Sequence, residues 1–330
     1  MPLPVLSNNK LLLAAKLFGA AIIVFIGIRQ LRGTSLDLVS SFRSVPSPSG
    51  IPRKIWQTWH TPAALLADGD RSRVGSWHRV NPGYRYELIT DEAAESFVRH
   101  HFAQDALLRK TFLGLNDTIL KADFLRYLIV LAEGGVYADL DVECYQSIDT
   151  WLPLKLQEKA GGIVGIEADR KPVENDIKLY SDYRDHIWGI NNWAFLAKRG
   201  HPFMRLVAET VARNLQAVAK EQDRELSGIE LSYKQVIDTT GPGAFSAAFL
   251  EYASRITGTA FKPADAMMLE EPKMVGDIVV LPIRAMSTAE ADRPDGDGAR
   301  SKDWLSVLFH WSVGSWKGTH FVKPEPSPDA

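Results

Sequence analysis

Asp139-Leu140-Asp141 sets two carboxylates two residues apart, directly after a Gly-Gly pair and an aromatic residue. In an extended strand such positions share a side, and Val136-Tyr137-Ala138-Asp139-Leu140-Asp141-Val142 reads as one. Two like charges that close repel unless a cation lies between them. Hard divalent ions such as Mn²⁺ and Mg²⁺ take oxygen ligands and commonly bridge one or two carboxylates to a phosphate. The pattern therefore points to a metal-dependent enzyme acting on a phosphorylated donor. Taken alone it is equally a solvated acidic pair at a strand end.

The preceding element must position these carboxylates. Residues 117–133 carry Ile119, Leu120, Phe124, Leu125, Leu128, Ile129 and Leu131 at helical spacing, and Gly134-Gly135 supplies the stop. Asp123 and Arg126 stand three apart on one face of that helix, where they pair with each other or bind hydroxyls. Asn116-Asp117-Thr118 is a glycosylation sequon, but its position reads better as a helix cap at Asp117 or Thr118. A first strand is expected over residues 51–60, and a second over residues 84–89 after the turn Asn81-Pro82-Gly83. Asp91 should cap a helix to about His100, residues 162–166 form a strand, and residues 201–219 form a helix. Strands and helices alternate, so an α/β sheet with its chemistry at strand ends is expected.

The 330 residues hold 38 basic and 40 acidic side chains, 45% hydrophobic residues and nine Trp. That supports a large core, and the near-balanced charge argues against a nucleic-acid partner. Cys144, the only cysteine, excludes an intrachain disulfide. Residues 11–28 are apolar apart from Lys16 and are just long enough to span a bilayer. They read as an anchor rather than a cleaved signal peptide, because Arg29-Gln30-Leu31-Arg32 follows in place of a small-x-small site. Lys10 and Lys16 oppose Arg29 and Arg32, so charge leaves the orientation open. The expected organisation is a cytosolic tail over 1–10, the anchor over 11–28 and a Ser/Pro/Gly-rich stem over 29–50. A catalytic domain over 51–320 follows, with a polar loop near 288–302 and a disordered tail over 321–330.

Lys121-Ala122-Asp123-Phe124-Leu125-Arg126-Tyr127 followed by Glu133-Gly134-Gly135-Val136-Tyr137-Ala138-Asp139-Leu140-Asp141 resembles the Asp-x-Asp sugar-binding region of glycosyltransferase family 32. Within that family it is closest to the fungal initiation-specific α-1,6-mannosyltransferases. Further segments match in order: Ile51 to Trp59, Trp77 with Asn81-Pro82-Gly83-Tyr84, Thr240-Gly241-Pro242-Gly243-Ala244-Phe245, and His310 with Gly314-Ser315-Trp316. The resemblance implies a GT-A-like fold, a mixed sheet flanked by helices with an N-terminal transmembrane helix. It also implies a GDP-mannose donor, Mn²⁺ (or Mg²⁺), a retaining transfer to a glycan or glycolipid acceptor, and a Golgi type II topology. Complexes with other mannosyltransferases are a further implied partnership.

The resemblance also distributes roles. Asp139, Asp141 and His310 would hold the metal; by itself a His between Phe309 and Trp311 is more often a packed core residue. Gln57, Trp59, Asp123, Arg126, Tyr137, Ser315 and Trp316 would bind the donor. Asn191 and Asn192 would stand at the catalytic centre on the acceptor side, although Trp188-Gly189-Ile190-Asn191-Asn192-Trp193 departs from the Gln-x-x-Trp-like stretch more usual there. Glu167 and Asp169 are the alternative acids on that side. The rival readings are mannosyl transfer to inositol phosphoceramide, a UDP-sugar donor, and a non-catalytic subunit of a Golgi mannosyltransferase complex. A phosphohydrolase is disfavoured, since the nucleophile-bearing motif it needs is missing.

Overall fold

Consecutive apolar residues in the central strands enter two different cores. Ile55 and Trp56, Val136 and Tyr137, Ile163 and Val164, Leu196 and Phe195, and Val279 and Val280 divide in this way between two buried clusters. A strand covered on both faces must be apolar at every position, which is why these segments read as unbroken hydrophobic runs rather than alternating ones. The computed structural model describes residues 50–169, 188–287 and 306–312.

Within them the chain runs β1 (Lys54–Trp59), α1 (Asp68–Val80), β2 (Arg85–Thr90), α2 (Asp91–His101), α3 (Ala106–Gly114) and α4 (Thr118–Glu133). It continues with β3 (Gly135–Ala138), β4 (Val142–Cys144), α5 (Leu154–Gln157), β5 (Gly162–Asp169), β6 (Trp188–Ile190) and β7 (Ala194–Ala197). Next come α6 (Pro202–Glu221), α7 (Tyr233–Thr239), α8 (Pro242–Thr257), β8 (Lys273–Val275), β9 (Ile278–Leu281), β10 (Met286–Ser287) and β11 (Leu308–His310). The main sheet has the order β2-β1-β3-β7-β5-β9-β8, with β6 on β5. It is mixed: β1 runs parallel to β2 and β3, whereas β7 is antiparallel to β3 and β5. A second sheet, β10-β11-β4, lies at the end of β3. The architecture is the expected mixed α/β sheet flanked by helices.

Several boundaries differ from the sequence expectation. Helix α2 is capped by Thr90, whose hydroxyl accepts from the Ala93 N–H, with Asp91 as its first residue. The 136–142 segment is not one strand: β3 stops at Ala138 and β4 restarts at Val142. Asp117 does cap α4, its carboxylate accepting from Ile119 and Leu120 N–H at 2.8 and 3.2 Å. The 11–28 anchor, the 288–302 loop, the 321–330 tail, Ser315 and Trp316 lie outside the described residues. Among the described residues, no helix is long and apolar enough to cross a membrane.

The link between α4 and β3 is set by two glycines. Gly134 and Gly135 have φ of 66° and 99°, in the region L side chains rarely adopt. A Cβ at Gly135 would also sit 2.6 Å from the Lys54 carbonyl oxygen on β1. Trp56 clasps the turn from the sheet, its indole N–H donating to the Gly134 carbonyl at 2.8 Å. Gly135→Ala is therefore expected to lower the unfolding free energy by about 3 kcal/mol in urea titration, strain and clash combined. A loss below about 0.5 kcal/mol, the range of neutral surface changes, would show that β1 yields instead.

Candidate active site

The two carboxylates converge because the chain turns, not because it is extended. Residues 139–142 form a tight turn in which the Val142 N–H donates to the Asp139 carbonyl at 3.1 Å. Leu140 plugs it inward, 3% exposed, against Leu66 and Val74, with Trp59, Tyr86 and Leu88 packed around them. Every flank of the turn is tied to a different element. The Asp139 N–H donates to the Trp193 carbonyl at 2.7 Å, and the Trp311 N–H donates to the Asp141 carbonyl at 3.0 Å. The Trp77 indole donates to the Val142 carbonyl at 2.9 Å. Gln57 Nε2 donates to the Asp139 carbonyl at 2.9 Å, while its Oε1 accepts from the Tyr86 hydroxyl at 2.7 Å. Gln57 is fully buried, so it stands beneath Asp139 as a strut and has no surface of its own to offer a nucleotide.

His310 reaches this turn on β11, which pairs antiparallel with β4 in the register His310↔Val142. Its Nε2 lies 3.2 Å from an Asp141 carboxylate oxygen. One ligand atom each from Asp139, Asp141 and His310 falls within 4.8 Å of the others. Burial raises the Asp139 pKa; Arg126 opposes this and Asp141 adds to it, leaving the group above its ordinary value. For His310 burial acts downward, but the Asp141 hydrogen bond and the charges of Asp141, Asp139 and Glu167 prevail, and its pKa is raised. Two clustered carboxylates and an imidazole, of which Asp139 and His310 retain protons more tightly than usual, fit a divalent cation, which would replace those protons.

Asp123 and Arg126 extend the cluster from α4. Both are 8% exposed. The Arg126 guanidinium bonds Asp123 at 3.0 Å, lies 3.4 Å from Asp139, and donates to the Asn192 carbonyl at 3.0 Å. It also lies over the Tyr137 ring, 5.3 Å from its centroid. Asp123 accepts in addition from the Thr240 hydroxyl at 2.8 Å. Tyr137 donates its hydroxyl proton to Asp139 at 2.7 Å, so the Thr58 hydroxyl at 3.1 Å must be the donor to it. Burial raises the Asp123 pKa in spite of Arg126 and Thr240. Burial alone would weaken the Arg126 charge, yet Asp139, Tyr137 and Asp123 hold it firmly cationic. The simple i, i+3 ion pair is present, and through Asp139 it continues into the candidate metal-ligand cluster.

The remaining predicted residues fall in different places. Trp59 is half-buried at the end of β1, its ring 4.7 Å from that of His60. Asn191 is fully buried, its amide donating to the Gly165 carbonyl and accepting from the Ala194 N–H, so its side chain frames the β5–β7 link. Asn192 joins the cluster through its carbonyl on Arg126 and its amide on the Tyr127 hydroxyl at 2.9 Å. Glu167 accepts from the Trp193 indole, whereas Asp169 instead accepts from the Met268 N–H. Trp193, Tyr127 and Thr240 were not singled out from the sequence. Thr240 stands in a matched segment, but nothing local ties it to Asp123, far away along the chain.

The sequence pattern described as glycosyltransferase sugar-binding region containing DXD motif matches residues 68–157, from α1 past the carboxylate turn to the end of α5. The initiation-specific alpha-1,6-mannosyltransferase of Candida albicans is 30% identical over 289 residues, covering 81% of this chain and 72% of that protein. The chain belongs to this glycosyltransferase family. The enzyme of the same name from Schizosaccharomyces pombe is 31% identical over 278 residues, with 83% of this chain covered. The match spans 65% of that relative's length. The inositol phosphoceramide mannosyltransferase 2 of Schizosaccharomyces pombe is 29% identical over a shorter stretch, 40% of this chain and 36% of that protein.

In this glycosyltransferase Arg126 is the buried cation shared by two carboxylates, and Arg126→Met would leave both uncompensated. The metal-free variant should lose about 3–5 kcal/mol of stability near neutral pH. Without Arg126 the raised pKa values of Asp123 and Asp139 rise further, so the folded state binds more protons than the unfolded one. Stability then increases as pH falls. Urea denaturation in chelator should show the gap from wild type narrowing toward pH 5; a pH-independent gap would mean that lost packing, not charge, dominates.

Proposed function

We propose that the protein is a divalent-metal-dependent, retaining α-1,6-mannosyltransferase moving mannose from GDP-mannose to an N-linked glycan. The observation that carries this is the single cluster formed by Asp139, Asp141 and His310 with Asp123 and Arg126, in a chain similar to two enzymes named as initiation-specific α-1,6-mannosyltransferases. Mn²⁺ (or Mg²⁺) held by Asp139, Asp141 and His310 would supply Lewis-acid stabilisation of charge developing on the leaving diphosphate. The chain's own groups act around that centre. Arg126 orients Asp139 and offsets its charge, and Asp123, fixed by Arg126 and Thr240, presents a carboxylate able to accept from a sugar hydroxyl. A buried, braced pair of this kind distinguishes hydroxyl positions because a missing partner leaves it unsatisfied.

A GT-A-like fold, a lumenal Golgi domain over residues 51–320 and a type II anchor over residues 11–28 belong to the same reading. It also includes complexes with other mannosyltransferases. Transfer to inositol phosphoceramide is the second reading, favoured by the shorter match to an enzyme of that name.

The test is donor turnover with the purified protein. GDP-mannose, UDP-glucose and UDP-galactose are offered with and without acceptor, with Mn²⁺ and with chelator. GDP-mannose alone should turn over, EDTA should abolish the reaction and Mn²⁺ restore it. Asp139→Ala and Asp141→Ala should each reduce turnover by about 10²–10³-fold or more while remaining folded. Full activity of either variant, or in chelator, would sink the metal-dependent reading; preference for a UDP-sugar would sink the donor assignment. Production of a mannosylated inositol phosphoceramide in place of a mannosylated glycan would select the second reading.

A further inference from the structure

Trp193 meets the proposed metal ligands twice, once through its backbone and once through its ring. Its carbonyl accepts the Asp139 N–H at 2.7 Å. Its indole lies over the His310 imidazole with ring centroids 4.7 Å apart and planes inclined by only 21°. The indole is itself fixed, since its N–H donates to Glu167 at 3.2 Å and the residue is only 3% exposed. The backbone is fixed as well: Asn191 donates to the Gly165 carbonyl through both its N–H and its amide, at 3.0 and 3.1 Å, and accepts from the Ala194 N–H. Asn192, one residue earlier, holds Arg126. A rigid link between β6 and β7 therefore braces Asp139 and covers His310 together.

An imidazole on its own rotates broadly about its last torsion. Laid flat on an indole, it can direct its in-plane nitrogens only along the indole face, and here one of them points to Asp141. We propose that Trp193 is a positioning residue for the divalent cation, fixing the plane of His310 while its carbonyl fixes Asp139. This rests on the metal reading given above. Groups that orient a ligand from behind commonly change metal affinity by about 10–100-fold when removed. The stack acts through one ligand only, so its contribution should vanish when that ligand is absent.

The test is Mn²⁺ titration of the purified full chain, with free Mn²⁺ read by electron paramagnetic resonance and the melting temperature of the metal-free protein measured alongside. Trp193→Leu should weaken Mn²⁺ binding by about 10-fold or more, whereas Trp193→Phe, which keeps a ring over His310, should stay within about 3-fold. In a His310→Ala background Trp193→Leu should have no further effect on affinity. Wild-type affinity in Trp193→Leu would overturn the proposal, as would an equal loss with and without His310, which marks a structural role. Should Trp193→Leu fail to fold, Trp193→Phe decides: a 10-fold loss at unchanged melting temperature would overturn the stacking argument. Absence of Mn²⁺ binding by the wild type would instead overturn the metal reading beneath it.

Discussion

One guanidinium holds the site together. Arg126 is buried, and around it converge Asp123 from its own helix, Asp139 from the carboxylate turn and the Asn192 carbonyl from the β6–β7 link. Three separate parts of the chain thus share one charge. Removing an arginine from water costs several kcal/mol, which only close and well-directed acceptors offset. The carboxylates in turn depend on it, because burial, with Asp117 acting on Asp123 and Asp141 acting on Asp139, raises both toward the protonated state. Asp141 and His310 join the cluster at Asp139, where a divalent cation, under the proposed function, would complete the balance.

Much of this was legible in the sequence, for different physical reasons. The helix before the turn declared itself through apolar spacing, its Asp117 cap and its Gly134-Gly135 stop, all local properties that short stretches of chain determine. The convergence of Asp139 and Asp141 was anticipated from strand alternation, yet it arises from a turn with Leu140 as its inward anchor. Both geometries bring alternate residues together, so the pattern alone could not separate them. Asp123 and Arg126 were readable as a pair, but the reach of Arg126 to Asp139 and Asn192 depends on packing between elements distant in sequence. Trp193 left no pattern to find: an aromatic after two asparagines looks like core, and it is core. Its position against His310 follows from β11 joining β4, a pairing between distant segments that periodicity does not encode.

Asn191 and Gln57 illustrate the same limit. The family likeness suggests contact with ligand for both, and both side chains satisfy buried backbone carbonyls. A buried amide that braces a strand end can matter as much to a site as one that touches substrate, because an unmet carbonyl costs free energy comparable to a lost hydrogen bond.

The small sheet gives the site an unusual topology in time. β4 lies in the first half of the chain and β11 follows about 165 residues later, with α6, α7 and α8 of the helix-lined core between Asp141 and His310. Closing so long a loop is entropically unfavourable and late. A cation gripped by both ends would act as a reversible cross-link on that loop, favouring the docked over the undocked strand by mass action. Metal supply would then govern not only turnover but how long β11 stays in place.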